Sequence, residues 1–383
     1  MSLFGDDEFI EDTTPLVSGN ISYDGLCDPS AMSFCLGHEE QEKFFIDMYK
    51  KNNIPHAMIF SGFKGIGKTT MAFRIAKFLL KHDKGSNSSS AGLFGEELPQ
   101  EISSLDVDPN DPVSRRIASG GHADLLHIHR IFDKAKGKLD SSLKVESLRK
   151  IEPFLRKTSS EGGWRIVIIE DADTMNRNAQ NAILKILEEP PENVLIILVT
   201  HRLGRLIPTI HSRARKLYFS PLSADIMGEL FHKSGHDLSD KDMKTICDLS
   251  DGSFGIAMKY LENDGLSMLK DIISHLEYAQ NGDIHKIHAF SNGLSTSAQD
   301  KQYQMFVEIL QKIIRKILFL KARGDNVIPV YLQAPILHNI FDSYPLEKIL
   351  KICDELKNHY DRVEFSNLDR RDAVRAAFLM INQ

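Results

Sequence analysis

The stretch HAMIFSGFKGIGKTTMAFRIAKFLLKH, residues 56–82, constrains this chain more than any other part of it. HAMIFSG is a short apolar run ending in glycine, which reads as a buried strand feeding a loop. KTTMAFRIAKFLLKH carries Met71, Ile75, Phe78 and Leu79 on one side, which predicts an amphipathic helix. Between them lies G-x-x-x-x-G-K-[ST], with every fixed place filled by Gly62, Gly67, Lys68 and Thr69. Strand, glycine loop and helix form the context that such a loop requires. Glycines let backbone N–H groups close around phosphates, and the helix that follows adds its positive N-terminal end. Gly62, Gly65, Gly67, Lys68, Thr69 and Thr70 are therefore candidate nucleotide-binding residues. Lys68 would reach the β and γ phosphates of ATP, and Thr69 would hold Mg2+. The competing reading is a coincidental glycine-rich turn, and the strand and helix flanks speak against it.

Further apolar runs follow. DLLHIHRI (124–131), WRIVIIED (164–171) and NVLIILVTH (193–201) read as strands. NRNAQNAILKILEEPP (176–191) reads as a helix stopped by Pro190 and Pro191, and SSLKVESLRKIEPFLRKTS (141–159) as a helix interrupted near Pro153. Continuous apolar strands alternating with helices predict an α/β fold with a parallel sheet covered on both faces. Residues 83–121 break the pattern with Ser/Gly-rich and turn-rich segments, and read as an insertion. The first residues, MSLFGDDEFIEDTTP, read as an acidic arm. After LYFSPLS (217–223) the texture changes to helices, of which 301–323 is the longest periodic piece.

Two further segments carry chemistry. IVIIEDAD places Glu170, Asp171 and Asp173 at the end of a buried strand. NTPases of this kind often use Asp then Glu, the first near the metal and the second orienting water. Here the order is inverted. Aspartate is one methylene shorter, roughly 1.5 Å of reach, and misplacing a water-activating group by about 1 Å can cost ~10²-fold. Glu170 is thus the candidate near the metal, and Asp171 a poorly placed base. In PTIHSRARKLYF (208–219), Arg213 stands just before an apolar run; judged alone, it reads as an exposed arginine.

The bulk numbers exclude several classes. The 383 residues carry a net charge of −6, so no global attraction to nucleic acid follows, and any DNA contact must be local. No stretch approaches the roughly 18 apolar residues of a membrane span, and the N-terminus lacks the basic and apolar regions of a secretory signal. A cytoplasmic location is expected. The cysteines Cys27, Cys35, Cys247 and Cys353 form no C-x-x-C pair, so a zinc site of usual spacing is not expected. No carboxylate set for nucleotidyl transfer is visible.

Taken in order, GHEEQEKFF, HAMIFSGFKGIGKTT, IIEDADTMNRNAQNAILKILEEPP, RLIPTIHSRARKLYFSPL and DGSFGIAMKYL resemble AAA+ clamp-loader subunits, and among these the delta-prime family of bacterial DNA polymerase III. The resemblance covers about residues 35–260, and NLDRRDAVRAAF (367–378) resembles that family's final helix. It implies a flexible arm at 1–34, an AAA+ domain at 35–222, a small helical lid at 223–275 and a helical collar at 276–383. The collar would join five subunits in a ring with delta and gamma/tau, which loads a sliding clamp onto primer-template DNA. It implies that Arg213, in a family SRC motif read here as SRA with Ala214, is an arginine finger acting on a neighbour's γ-phosphate. Such fingers are worth ~10³–10⁵ in rate. Thr200 or His201 takes the sensor-1 position. Gly255 falls where motor subunits place a lid arginine, and offers no charge. The family's zinc cysteines are absent. Weak ATP turnover by the chain alone follows, with polymerase activity belonging to the holoenzyme. The alternative within the family is a gamma/tau-like motor ATPase; an unrelated P-loop enzyme is the third reading.

Overall fold

A computed structural model describes residues 28–32, 34–82, 102–133, 138–160, 163–295, 300–324, 327–366 and 368–382. Most of the expected acidic arm, and residues 83–101 of the expected insertion, lie outside them. The described chain divides into two compact units. One runs to Gly62 and resumes from Gly67 to Phe219; the other takes Phe63–Ile66 and continues from Ser220.

The first unit is built on five strands: β1 (Ala57–Ser61), β2 (Leu125–Ile128), β3 (Arg165–Ile169), β4 (Val194–Thr200) and β5 (Arg215–Tyr218). They lie in the order β2-β3-β4-β1-β5, and every pairing is parallel. A strand covered on both faces must be apolar throughout. β1, β3 and β4 are buried at every position, which is why their sequences read as apolar runs, with polar residues (Ser61, Arg165 and Thr200) only at strand ends. Register does the rest. Ser61 pairs with Thr200 and Ile169 with Leu198, so the carboxyl ends of β1, β3 and β4 finish along one edge. Ligands of open α/β sheets bind at that edge.

Around the sheet lie α1 (Glu39–Lys50), α2 (Lys68–Lys81), α3 (Pro112–Ala118), α4 (Val145–Arg149), α5 (Ile151–Arg156), α6 (Arg177–Glu188) and α7 (Pro208–His211). α2 differs from the one-sided helix that its spacing predicts: every residue from Met71 to Leu80 is buried, Arg74 and Lys77 included. Buried charge is costly unless paired. Arg74 is met by Glu42 at 2.9 Å and by Asp106 at 2.5 Å, and Lys77 donates to the Met32 carbonyl at 3.1 Å. Burial first, then the neighbouring Arg74 charge, hold the Lys77 ammonium below its ordinary pKa. The break expected at Pro153 falls at Lys150, between α4 and α5. Pro153 sits in the first turn of α5, where a missing N–H is tolerated. α6 starts on Asn176, whose side chain accepts from the Ala179 N–H at 2.9 Å, a cap worth about 1 kcal/mol. Its Ala179, Ile183, Ile186 and Leu187 fill one side of the core with residues of β3 and β4.

The second unit is helical: α8 (Ala224–Lys233), α9 (Asp240–Ser250), α10 (Phe254–Glu262), α11 (Gly265–Gln280), α12 (Ile284–Gly293), α13 (Asp300–Arg323), α14 (Pro335–Ser343), α15 (Leu346–Ser366) and α16 (Arg370–Asn382). Ser223, Ser239 and Ser253 cap α8, α9 and α10. α13 buries Phe306, Ile309, Leu310, Ile313, Ile314 and Ile317 at helical spacing and packs on α11 and α15. Residue 275, where the sequence reading divides lid from collar, lies inside α11. Within this unit the Phe63–Ile66 segment meets the start of α10. Ser253 Oγ donates to the Lys64 carbonyl at 2.7 Å, and the Gly255 N–H to the Gly65 carbonyl at 2.8 Å. A Cβ on Gly65 would stand 2.5 Å from Ser253 Oγ, and one on Gly255 would stand 3.0 Å from Gly65 Cα. The two glycines allow this approach, and Gly65 also needs its left-handed φ of 74°.

Candidate functional site

Of the residues expected to hold phosphate, Gly62, Gly67, Lys68, Thr69 and Thr70 stand where β1 gives way to α2. Gly67 caps α2 with a φ of 100°, a conformation open to glycine. Gly62 presents its carbonyl to Lys68 Nζ at 2.9 Å. Lys68 is only 3% exposed, so its ammonium is buried rather than in water. Thr69 Oγ1 donates to Glu170 Oε1 at 3.0 Å, which brings the hydroxyl and carboxylate expected at the cation together. Thr70 is half-buried one residue further along α2. Burial alone would raise the Glu170 carboxyl; the His127 imidazole and the Thr69 hydroxyl outweigh it and hold the group below its usual range.

Asp171 is placed differently from a free base. It follows β3 with a left-handed φ of 52°. Its Oδ2 accepts from Arg130 Nε at 2.6 Å and pairs with Nη2 of the same guanidinium at 2.6 Å, and its Oδ1 lies 2.8 Å from His201 Nε2. Burial would raise its pKa, but His201 and Arg130 reverse that and push the carboxyl far below the ordinary range. Both oxygens are thus occupied by protein groups. His201 in turn lies 3.1 Å from Lys68 Nζ through Nδ1. An ammonium can only donate. Nδ1 therefore accepts, Nε2 carries the proton, and that proton points at Asp171. A chain of four side chains results: Lys68, His201, Asp171, Arg130.

Of the two sensor candidates, His201 touches Lys68, whereas Thr200 turns away. Thr200 Oγ1 donates to Asp173 Oδ1 at 3.3 Å, and the same oxygen accepts the His201 N–H at 3.0 Å. Asp173 thereby fixes the turn that carries the imidazole. Arg213 follows α7, a third exposed on its side chain. It pairs with Glu188 at 2.8 Å and donates to the Thr209 carbonyl at 3.0 Å and to Ser212 Oγ at 3.2 Å. It is not part of the Lys68 cluster.

Sequence reasoning did not single out Arg130, His127 or Glu188. The alternation in LLHIHR, with His127 on a strand beside β3 and His129 just past its end, was the available signal.

Comparison with known proteins bears on this geometry. The family model described as DNA polymerase III, delta subunit, matches residues 37–223, the stretch that holds every side chain named in this subsection. Over that stretch the chain is similar to the DNA polymerase III clamp-loader family. Its fold is a five-stranded parallel sheet flanked by helices, followed by a helical C-terminal region. DNA polymerase III subunit gamma of Buchnera aphidicola is 27% identical over 83% of this chain and 79% of its own length. The delta-prime subunit of Pseudomonas aeruginosa is 32% identical over 41% of each chain. A gamma-subunit-related protein of Thermotoga maritima superposes with a TM-score of 0.42 at 14% identity, covering 89% of this chain and 98% of that one. Relatives of both the gamma and the delta-prime kind are thus found, and the chain spans less than half of the Pseudomonas delta-prime relative.

Proposed function

We propose that this chain is a delta-prime-like clamp-loader subunit: it holds ATP with Mg2+, turns it over poorly, and donates Arg213 to a neighbouring subunit's nucleotide. The observation that carries the reading is the Asp171 carboxylate, whose two oxygens are taken by His201 and Arg130. A general base must have a lone pair within reach of the proton it removes, and each oxygen of this carboxylate already accepts a hydrogen bond from a cationic or imidazole group of the protein.

The residues fit the nucleotide they would hold. Lys68 is buried and aimed inward as a donor to the β and γ phosphates. Thr69 Oγ1 and Glu170 lie together as the oxygen donors that Mg2+ prefers. Mg2+ would neutralise phosphate charge while bound. The backbone from Gly62 to Thr69 supplies N–H groups and the α2 N-terminus a positive end. Arg213 needs only to exchange a partly exposed ion pair with Glu188, worth about 0–1 kcal/mol, for a phosphate. Lid and collar functions of α8–α16, and a five-subunit ring with delta and gamma/tau that acts on a sliding clamp and primer-template DNA, belong to the same proposal.

The second reading is a gamma/tau-like motor ATPase. Its support is the complete loop, with Lys68 and Thr69 both in place, together with the gamma relative. A reconstituted clamp-loading assay separates the two. Arg213→Ala is expected to lower loading at least tenfold, and Lys68→Ala by less. Equal loss, or a greater loss for Lys68→Ala, would reject the delta-prime-like reading in favour of the motor.

A further inference from the structure

Lys68 Nζ donates to the Gly62 carbonyl at 2.9 Å and to His201 Nδ1 at 3.1 Å. The histidine that accepts from it is pinned at two points. Its Nε2 lies 2.8 Å from Asp171 Oδ1, and its backbone N–H donates to Asp173 Oδ1 at 3.0 Å. Asp171 is itself fixed by Arg130 at 2.6 Å. The ring is therefore not free to follow the ammonium when Lys68 turns to a ligand. Gly62 lies on the same loop, six positions before Lys68, and its carbonyl stays beside the lysine. An ammonium has three protons and no lone pair. A triphosphate held through its β and γ groups presents two acceptors. With Gly62 and His201 these make four acceptors for three protons, and the pinned imidazole is the one left behind. A diphosphate presents its β group alone, and three acceptors match three protons. The His201 side chain is only 22% exposed, so water replaces a lost bond there poorly.

We propose that His201 is a specificity-determining residue: its bond to Lys68 survives the binding of a nucleoside diphosphate and is broken by a triphosphate, so it favours the diphosphate. Asp171 and Arg130 then act as positioning residues, which hold the imidazole where it competes with the γ-phosphate for one lysine proton. The inference rests on the reading of Lys68 as a phosphate ligand in a nucleotide site.

The test uses the full chain with ADP and with a non-hydrolysable ATP analogue, each with Mg2+. Both dissociation constants are measured by isothermal titration, and protein with 15N-labelled histidine is followed by nuclear magnetic resonance. His201→Gln keeps a donor for Asp171 and removes the acceptor at the place of Nδ1. It is expected to shift the ratio of the two constants toward the analogue by about fivefold, the worth of one hydrogen bond. His201→Asn, which sets an amide oxygen near the place of Nδ1, is expected to restore the wild-type ratio. In the wild-type chain the Nδ1 signal, assigned by its loss in either variant, should remain that of a bonded acceptor with ADP and become that of an unbonded one with the analogue. If His201→Gln does not fold, the wild-type spectra and His201→Asn carry the test. An equal change in both constants, or an Nδ1 signal that is the same with either nucleotide, would overturn the inference and leave the nucleotide site standing. A ratio in His201→Asn as shifted as in His201→Gln would mean that ring packing sets the preference, and would overturn it equally. Failure of the wild-type chain to bind either nucleotide would overturn the nucleotide reading itself, and this inference with it.

Discussion

At the scale of the residue, the site turns on where Asp171 spends its lone pairs. The inverted acid order in IVIIED is legible in the sequence, but its structural outcome is not. Nothing in the spacing says that Arg130, 41 positions away, will reach Oδ2, or that a histidine at the end of β4 will take Oδ1. Strand pairing brings them together, and single strands carry no record of their neighbours. The depressed Asp171 pKa has a consequence with a definite sign. Its folded-state value lies below the unfolded value of about 3.9. The stability it contributes is therefore complete at neutral pH and is lost as the pH falls below about 4. Asp171→Asn should cost about 1–3 kcal/mol at pH 7. It should also flatten the acid limb of the stability curve. Urea unfolding of both proteins at pH 7 and at pH 3 checks this; an equal difference at the two pH values would mean that the pair contributes nothing through its charge.

At the scale of the element, periodicity served well where burial was complete and less well where charge was buried. β1, β3 and β4 could be read from their runs. α6 could be read from its spacing and from the two prolines that stop it. α2 could be read as a helix but not as one buried nearly all round, because Arg74 and Lys77 look like solvent-facing residues until Glu42, Asp106 and the Met32 carbonyl are seen beside them. The start of α10 is the clearest case of a feature that the sequence names without explaining. Gly255 reads as an absent arginine; in the fold it is the residue whose missing Cβ admits Gly65. Gly255→Arg is therefore not expected to create a better γ-phosphate contact. It should instead push the Gly65 segment away and weaken analogue binding at least tenfold in isothermal titration. Tighter binding, or faster hydrolysis, would show that the glycine is an empty sensor position and nothing more.

At the scale of the whole molecule, the sheet order does not decide the subunit type, which depends on which groups are present or already engaged. Lys68 and Thr69 are present; Asp171 is spent. Such a chain should hold nucleotide stably. A ligand that binds only the folded state at about a hundred times its dissociation constant adds roughly 2.7 kcal/mol. The ATP analogue is thus expected to raise the melting temperature by several degrees, and Lys68→Ala to abolish the rise. A wild-type melting curve that does not respond to the analogue would argue that the loop is retained as scaffold.

The approach of Gly65 and Gly255 also bears on how this subunit could change its trade. Two positions far apart in the chain, 65 and 255, share one small space, so neither can acquire a side chain while its partner backbone stays put. A path from nucleotide holder to motor would need the charge at 255, a rearranged loop tip to make room for it, and the release of Asp171 from His201 and Arg130. Each of these changes alone should weaken the protein before any of them confers turnover. The present arrangement is therefore guarded by steric coupling, and reversing it would take several substitutions arriving together.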